Sequence, residues 1–145
     1  MGRAMLVVLL AFASTQAKPQ AYNGQWTAAF GGTTYVRLQL TESNGAVSGR
    51  ISLGNIEVNP QGEVRRADDA PSEFSPLFDV VLRETMLTFA RKDGDDTDRF
   101  EMRLLKDNTA ELTFLFTDEV RREFAAEGIS VPKPIRLTRA SSTLF

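Results

Sequence analysis

The feature that most constrains this chain is a pair of alternating arms joined by a tight turn, at residues 33–53. Every second position is apolar or β-branched in both arms, which indicates strands with one apolar face; these positions are Thr34, Val36, Leu38 and Leu40, then Val47, Gly49, Ile51 and Leu53. Between the arms, Asn44-Gly45 supplies two residues that tolerate positive φ, as a tight turn between twisted strands requires. The segment therefore predicts a β-hairpin whose register is set locally.

The same alternation appears on both sides of this hairpin. A first strand is expected at 24–30, where Trp26 and Ala28 share a face. The second half of the chain restarts as a series of strands spaced about ten residues apart, which is typical of an up-and-down antiparallel sheet. These strands are expected around residues 78–82, 87–90, 100–104 and 111–116, with a last strand at 135–138.

The periodicity changes after residue 116. Thr117 can cap a helix whose first turn contains Asp118 and Glu119, and Gly128 stands where a C-terminal cap belongs. One short helix is therefore predicted near residues 118–127. The predicted fold class is all-β: an antiparallel meander of about eight to ten strands that forms a small barrel or a rolled sheet, with this helix beside it.

The first residues have the three-part pattern of an export signal. Arg3 precedes an apolar run at 5–13, and the small residues Thr15 and Ala17 follow it. The run is too short for a permanent anchor, which needs ~20 residues. We therefore predict a signal peptide at 1–17 and a single β-barrel domain at 18–145, exported to the periplasm or the extracellular space without a stable membrane anchor.

Composition excludes several classes of function. The chain has no His and no Cys, which removes the usual zinc ligands, disulfides and His-activated nucleophiles. Its 17 basic and 19 acidic residues leave a net charge of −2, so no nucleic-acid partner is expected. Most carboxylates fall in turns or on outward strand positions, where nothing desolvates them. We expect no enzymatic activity and no cofactor.

The densest group of carboxylates lies at residues 93–98. It fails as a calcium-binding EF-hand loop, because Asp98 occupies the position that requires glycine and Leu104 the position of the bidentate Glu. A solvated hairpin tip is the expected structure, and no metal site is predicted.

Gly24-x-Trp26 on the first strand, the meander and the short helix together resemble the lipocalin and avidin group of calycin barrels. In lipocalins this motif opens the first strand, and its Trp closes one end of the barrel beneath an Arg from the last strands. The resemblance therefore implies structural roles for Trp26 and for Arg136 or Arg139. It also implies a binding site for a small, mostly apolar ligand, although a single Trp argues against biotin.

The residues expected to face inward are almost all apolar: Trp26, Phe30, Leu38, Ile51, Phe78, Phe89, Phe100, Met102, Phe114 and Phe116. A barrel of this size either fills itself with such side chains or keeps a cavity for one small ligand, and the sequence leaves both open. If a cavity exists, the candidate ligand-binding residues are Phe78, Phe89, Phe100 and Phe114, with Phe74 at its mouth.

The longest break in the alternating pattern, at residues 67–76, indicates an alternative function. This segment contains two prolines and Phe74, and it is long enough to be presented to another molecule. The alternative function is a secreted protein-interaction or inhibitor-type domain whose 67–76 loop contacts a partner protein.

Overall fold

The computed structural model describes residues 21–140, so the predicted signal peptide at 1–17 lies outside the described residues. The described chain consists of β1 (Gly24–Phe30), β2 (Thr33–Ser43), β3 (Ala46–Leu53), β4 (Ile56–Val58), β5 (Val64–Ala67), β6 (Ser75–Pro76), β7 (Phe78–Arg83), β8 (Met86–Asp93), β9 (Asp96–Leu104), β10 (Thr109–Leu115), α1 (Asp118–Ala126) and β11 (Ile135–Arg139). No helix within 21–140 is both long enough and apolar enough to cross a bilayer.

Nine of the strands form one antiparallel sheet in the order β6-β3-β2-β1-β11-β10-β9-β8-β7. The last strand, β11, lies between the first strand and β10, with Trp26 opposite Arg139 and Leu112 opposite Ile135. The sheet curls until its two edges meet, so it is a nearly closed barrel with one seam. The predicted all-β fold class is confirmed.

The seam lies between β3 and β7. The chain itself bridges it, because the short strand β6 pairs with Arg50 and Ile51 of β3 and only Leu77 separates β6 from β7. The Leu77 amide donates to the Gly49 carbonyl at 3.0 Å. The remaining strands, β4 and β5, form a separate two-stranded hairpin.

Local turn and cap chemistry follows the sequence pattern. Asn44 (φ 53°) and Gly45 (φ 80°) both have positive φ at the turn between β2 and β3, as the hairpin prediction requires. Thr117 caps α1 by accepting a hydrogen bond from the Val120 amide at 3.1 Å, and Asp118 lies in the first turn. The predicted helix near residues 118–127 is therefore present as Asp118–Ala126.

One end of the barrel is closed around Trp26, which is fully buried. Its indole N–H donates to the Tyr22 carbonyl at 3.0 Å, and the Arg139 guanidinium lies 4.7 Å from its ring centroid. Arg136 lies on the opposite, exposed face of β11. Of the two arginines that the resemblance offered, Arg139 is the one that covers the Trp.

The barrel is filled above this closed end. The largest fully buried side chains there include Trp26, Leu38, Ile51, Phe89, Phe100, Met102, Leu112 and Leu137. Phe30 was expected among them, but it is 42% exposed. It directly precedes the turn at Gly31 and follows the register shift between Ala28 and Ala29, which interrupts the alternation that would place Phe30 inside. The prediction that Phe30 belongs to the interior is wrong.

Candidate functional site

A cavity of about 600 Å³ opens at the end of the barrel opposite Trp26. Its walls come from the starts of β2 and β9, the ends of β3, β8 and β10, the hairpin of β4 and β5, and the segment from α1 to Pro132. Phe114 lines it from the barrel wall and Ile129 from the segment after the helix. The barrel is therefore filled at one end and open at the other.

A continuous series of aromatic contacts connects the filled core to this cavity. Phe89 stacks on Phe100 at 5.4 Å between centroids, and Phe100 meets Phe114 edge-on at 5.3 Å. Phe114 lies 6.1 Å from Phe116, which meets Phe124 of α1 at 5.3 Å. Phe89 and Phe100 are fully buried, whereas the last three are only partly buried and line the cavity. The cavity thus has an apolar, aromatic wall.

A β-bulge brings Tyr35 to the cavity. Ala28 pairs with Val36 but Ala29 pairs with Thr34, so Tyr35 is an extra residue on β2 with no partner on β1. In a bulge, two neighbouring residues face a single residue of the other strand, and the usual alternation of side chains is interrupted. Tyr35 and Val36 are accordingly both buried, and Tyr35 lines the cavity. Simple alternation had assigned Tyr35 to the other face.

Tyr35 brings a buried polar group, its hydroxyl, to the cavity wall. The residue is 5% exposed, and its hydroxyl makes no hydrogen bond to any other residue of the described chain. Burial raises the pKa of Tyr35 above its ordinary value, so the phenol stays protonated and can donate.

Arg91 and Asp98 are one of two oppositely charged pairs that line the cavity; the other is Arg65 and Glu57. Leu87, Phe89 and Arg91 share one face of β8, so Arg91 points toward the interior one position above the filled core. Asp98 is its register partner on β9, and Arg91 Nε donates to Asp98 Oδ2 at 3.0 Å. Asp93 lies 3.8 Å from the same guanidinium. The Arg91 side chain is 14% exposed and the Asp98 side chain is 40% exposed, so the pair extends from the interior to the rim of the cavity.

The structure separates the predicted ligand-binding residues. Phe114 lines the cavity, and Phe89 and Phe100 lie beneath it in the filled core. Phe78 pairs with Ala90 and lies 5.8 Å from the Lys92 ammonium, on the face of β8 that does not carry Phe89. Phe78 therefore lies outside the cavity.

The 67–76 loop, with Phe74, lies along the outer wall of the barrel. The Ala70 amide donates to the Thr34 carbonyl at 2.9 Å, and the Ser52 hydroxyl donates to the Pro71 carbonyl at 2.5 Å. Phe74 packs beneath Arg50, whose guanidinium carbon is 4.5 Å from the ring centroid. Phe74 does not line the cavity with Phe114, because these contacts hold its loop against β2 and β3.

The mouth is instead bordered by the segment around α1 and by the hairpin of β4 and β5. Ser130 donates through its hydroxyl to the Pro60 carbonyl at 2.8 Å, and the Lys133 amide donates to the Gly62 carbonyl at 2.8 Å. These bonds join the segment after α1 to the turn of the hairpin. The sequence pattern did not predict these residues at the mouth of the cavity, because both contacts join residues about seventy positions apart that share no periodic pattern.

The residues from 21 to 140 thus define a nearly closed antiparallel β-barrel with an aromatic cavity at one end. Comparison with protein-family models, with curated proteins and with solved structures found no match.

Proposed function

We propose that this protein is an exported, calycin-like barrel that binds a small, mostly apolar ligand in the cavity at its open end. The observation that carries the proposal is the position of that cavity, directly above a filled core. Its volume of about 600 Å³ is in the range of small-molecule sites, which are mostly apolar with a few placed polar groups.

The apolar wall of the cavity favours the binding of an apolar ligand. Phe114, Phe116 and Phe124 are each only partly buried, and Ile129 is 45% exposed. Covering such surface contributes roughly 25 cal/mol for each Å² removed from water. An apolar molecule of matching size would extend the aromatic series that begins in the core.

The calycin-like part of the proposal is supported by the closed end, where Arg139 covers Trp26.

Export is supported by the order of residues 1–17, in which a positive charge is followed by an apolar run and then by small residues. N-terminal sequencing of the protein recovered from outside the cytoplasm tests export, with Lys18 expected at or near the new terminus. Recovery of an intact Met1 in that fraction would contradict it.

The alternative function, in which the 67–76 loop contacts a partner protein, has less support. The loop is tied to the outer wall through Ala70 and Pro71, and its one aromatic residue, Phe74, is occupied by Arg50. We therefore place the function in the cavity.

Titration of the folded protein with an environment-sensitive apolar dye tests the proposal. We expect binding at micromolar concentrations, about 8 kcal/mol of binding free energy. Phe116→Ala removes cavity wall and should weaken binding roughly tenfold. Leu115→Ala is the matched control, because Leu115 is the preceding residue on the chain and is 40% exposed outside the cavity. No binding by the parent protein, or an equal loss in both variants, would contradict the proposal.

A further inference from the structure

We infer that the ligand is a neutral molecule that carries one hydrogen-bond acceptor, such as a ketone, ester or amide carbonyl, and that the Tyr35 hydroxyl donates to it. This inference rests on the proposed function and specifies the chemistry of the ligand that the cavity takes.

The Tyr35 hydroxyl has no hydrogen-bond partner among the described residues. Buried polar groups nearly always have such a partner. Tyr35 lines the cavity because the bulge opposite Ala28 and Ala29 interrupts the alternation of side chains, so that Tyr35 and Val36 are both buried. Because Tyr35 lines the cavity, we take a molecule bound there as the natural partner of this donor. A water molecule there in the free protein would be displaced by a ligand whose acceptor replaces its hydrogen bond.

The charges around the cavity favour a neutral ligand. Two arginines and two carboxylates line it, so their formal charges cancel. Arg91 is bound to Asp98 at 3.0 Å, and Arg65 to Glu57 at 3.2 Å. A ligand carboxylate would have to compete with Asp98 for Arg91 or lose its hydration without a free cation to replace it. A carbonyl oxygen avoids that cost.

The protonation state of Tyr35 agrees with the assignment. Burial raises the pKa of this phenol, so at neutral pH it is an uncharged donor. An acceptor on the ligand would form a hydrogen bond with this O–H group.

Displacement of the apolar dye by three naphthalenes of similar size tests the inference. Acetylnaphthalene carries a carbonyl acceptor, ethylnaphthalene carries none, and naphthoate carries a charge. The parent protein should bind acetylnaphthalene about 3- to 10-fold more tightly than ethylnaphthalene, the net contribution of one hydrogen bond. Naphthoate should bind more weakly than acetylnaphthalene at neutral pH.

Tyr35→Phe removes only the hydroxyl and keeps the ring. It should erase the preference for acetylnaphthalene by weakening that ligand about 3- to 10-fold, while the affinity for ethylnaphthalene stays within about twofold. An equal change for both ligands would show that Tyr35 only packs and would overturn the inference. Equal affinities of the two in the parent protein, a measurement that needs no variant, would overturn it as well.

Two results separate this inference from the proposed function. Tightest binding of naphthoate would overturn the neutral ligand while leaving a binding cavity in place. Failure of the dye and all three naphthalenes to bind the folded parent protein would overturn the proposed function itself, and the inference with it.

Discussion

The guanidinium carbon of Arg139 lies 4.7 Å from the ring centroid of Trp26, and the backbone of the two residues is paired in register. Arg139 Nη1 donates to the carbonyls of Ala21 and Asn23 at 2.7 and 3.0 Å, and Nη2 donates to Asn108 Oδ1 at 2.6 Å. One side chain thus joins the first strand, the turn before β10 and the segment that precedes β1.

Arg139→Ala should therefore destabilise the barrel by roughly 2–3 kcal/mol, since it removes a cation–π contact and several charged hydrogen bonds on a partly exposed group. Arg136→Ala, an exposed site on the same strand, should change the free energy of unfolding by no more than about 0.5 kcal/mol. Urea unfolding followed by fluorescence of Trp26 measures both. Equal effects would mean that the closed end does not depend on Arg139.

The filled and open ends of the barrel should respond differently to the same substitution. Phe100→Ala leaves a hole in a fully buried site between Phe89 and Phe114, so it should cost about 3–5 kcal/mol. Phe114→Ala enlarges a cavity that already opens to solvent and should cost less, about 2 kcal/mol. Urea unfolding of the two variants decides this. A larger loss in Phe114→Ala would mean that the open end is closed and packed in solution.

The turn between β2 and β3 depends on positive φ at Gly45. Gly45→Val places a β-branched residue in that conformation and should cost on the order of 1–3 kcal/mol. Ala46→Val, the next residue and an exposed strand position, is the control and should be close to neutral. Thermal or urea unfolding of both variants is the measurement, and a Gly45→Val protein as stable as its control would argue that the turn relaxes to another geometry.

Alkaline pH should weaken the closed end through Tyr22. Burial, the largest cause, and the nearby Glu42 carboxylate together raise the pKa of Tyr22 to about 12, although Arg103 opposes them. The phenol also donates to the Thr85 carbonyl at 2.8 Å. In the unfolded chain the phenol ionises near pH 10, so its contribution to stability is fully present below about pH 10 and is lost as the pH rises through 12.

The Tyr35→Phe variant isolates this titration, because the chain has two tyrosines. Its tyrosinate absorbance should report Tyr22 alone, with a midpoint at about 12 while the protein stays folded. A midpoint near the ordinary value of 10.0 would contradict the buried environment of Tyr22.

Much of the fold could be predicted because its signals are local. The alternation in residues 33–53, the Asn44-Gly45 turn and the Thr117 cap each depend on neighbours within a few positions. The candidate site could be predicted only in part. Phe114 follows simple alternation into the cavity, whereas Phe74 and Phe78 do not lie there, because the outer wall of the barrel also accepts aromatic side chains.

The period-two strands, the main hairpin and the short helix follow from the residue pattern alone, because each depends on residues within a few positions of one another. Only contacts in the folded chain determine that Arg139 covers Trp26, and that one end of the barrel is filled while the other opens as a cavity. Tertiary structure also placed Tyr35 in the cavity, because the bulge arises from the pairing of β1 with β2 and interrupts the alternation that the sequence displays. Contacts between strands that are distant in sequence set the first two features, and the register of two consecutive strands sets the third.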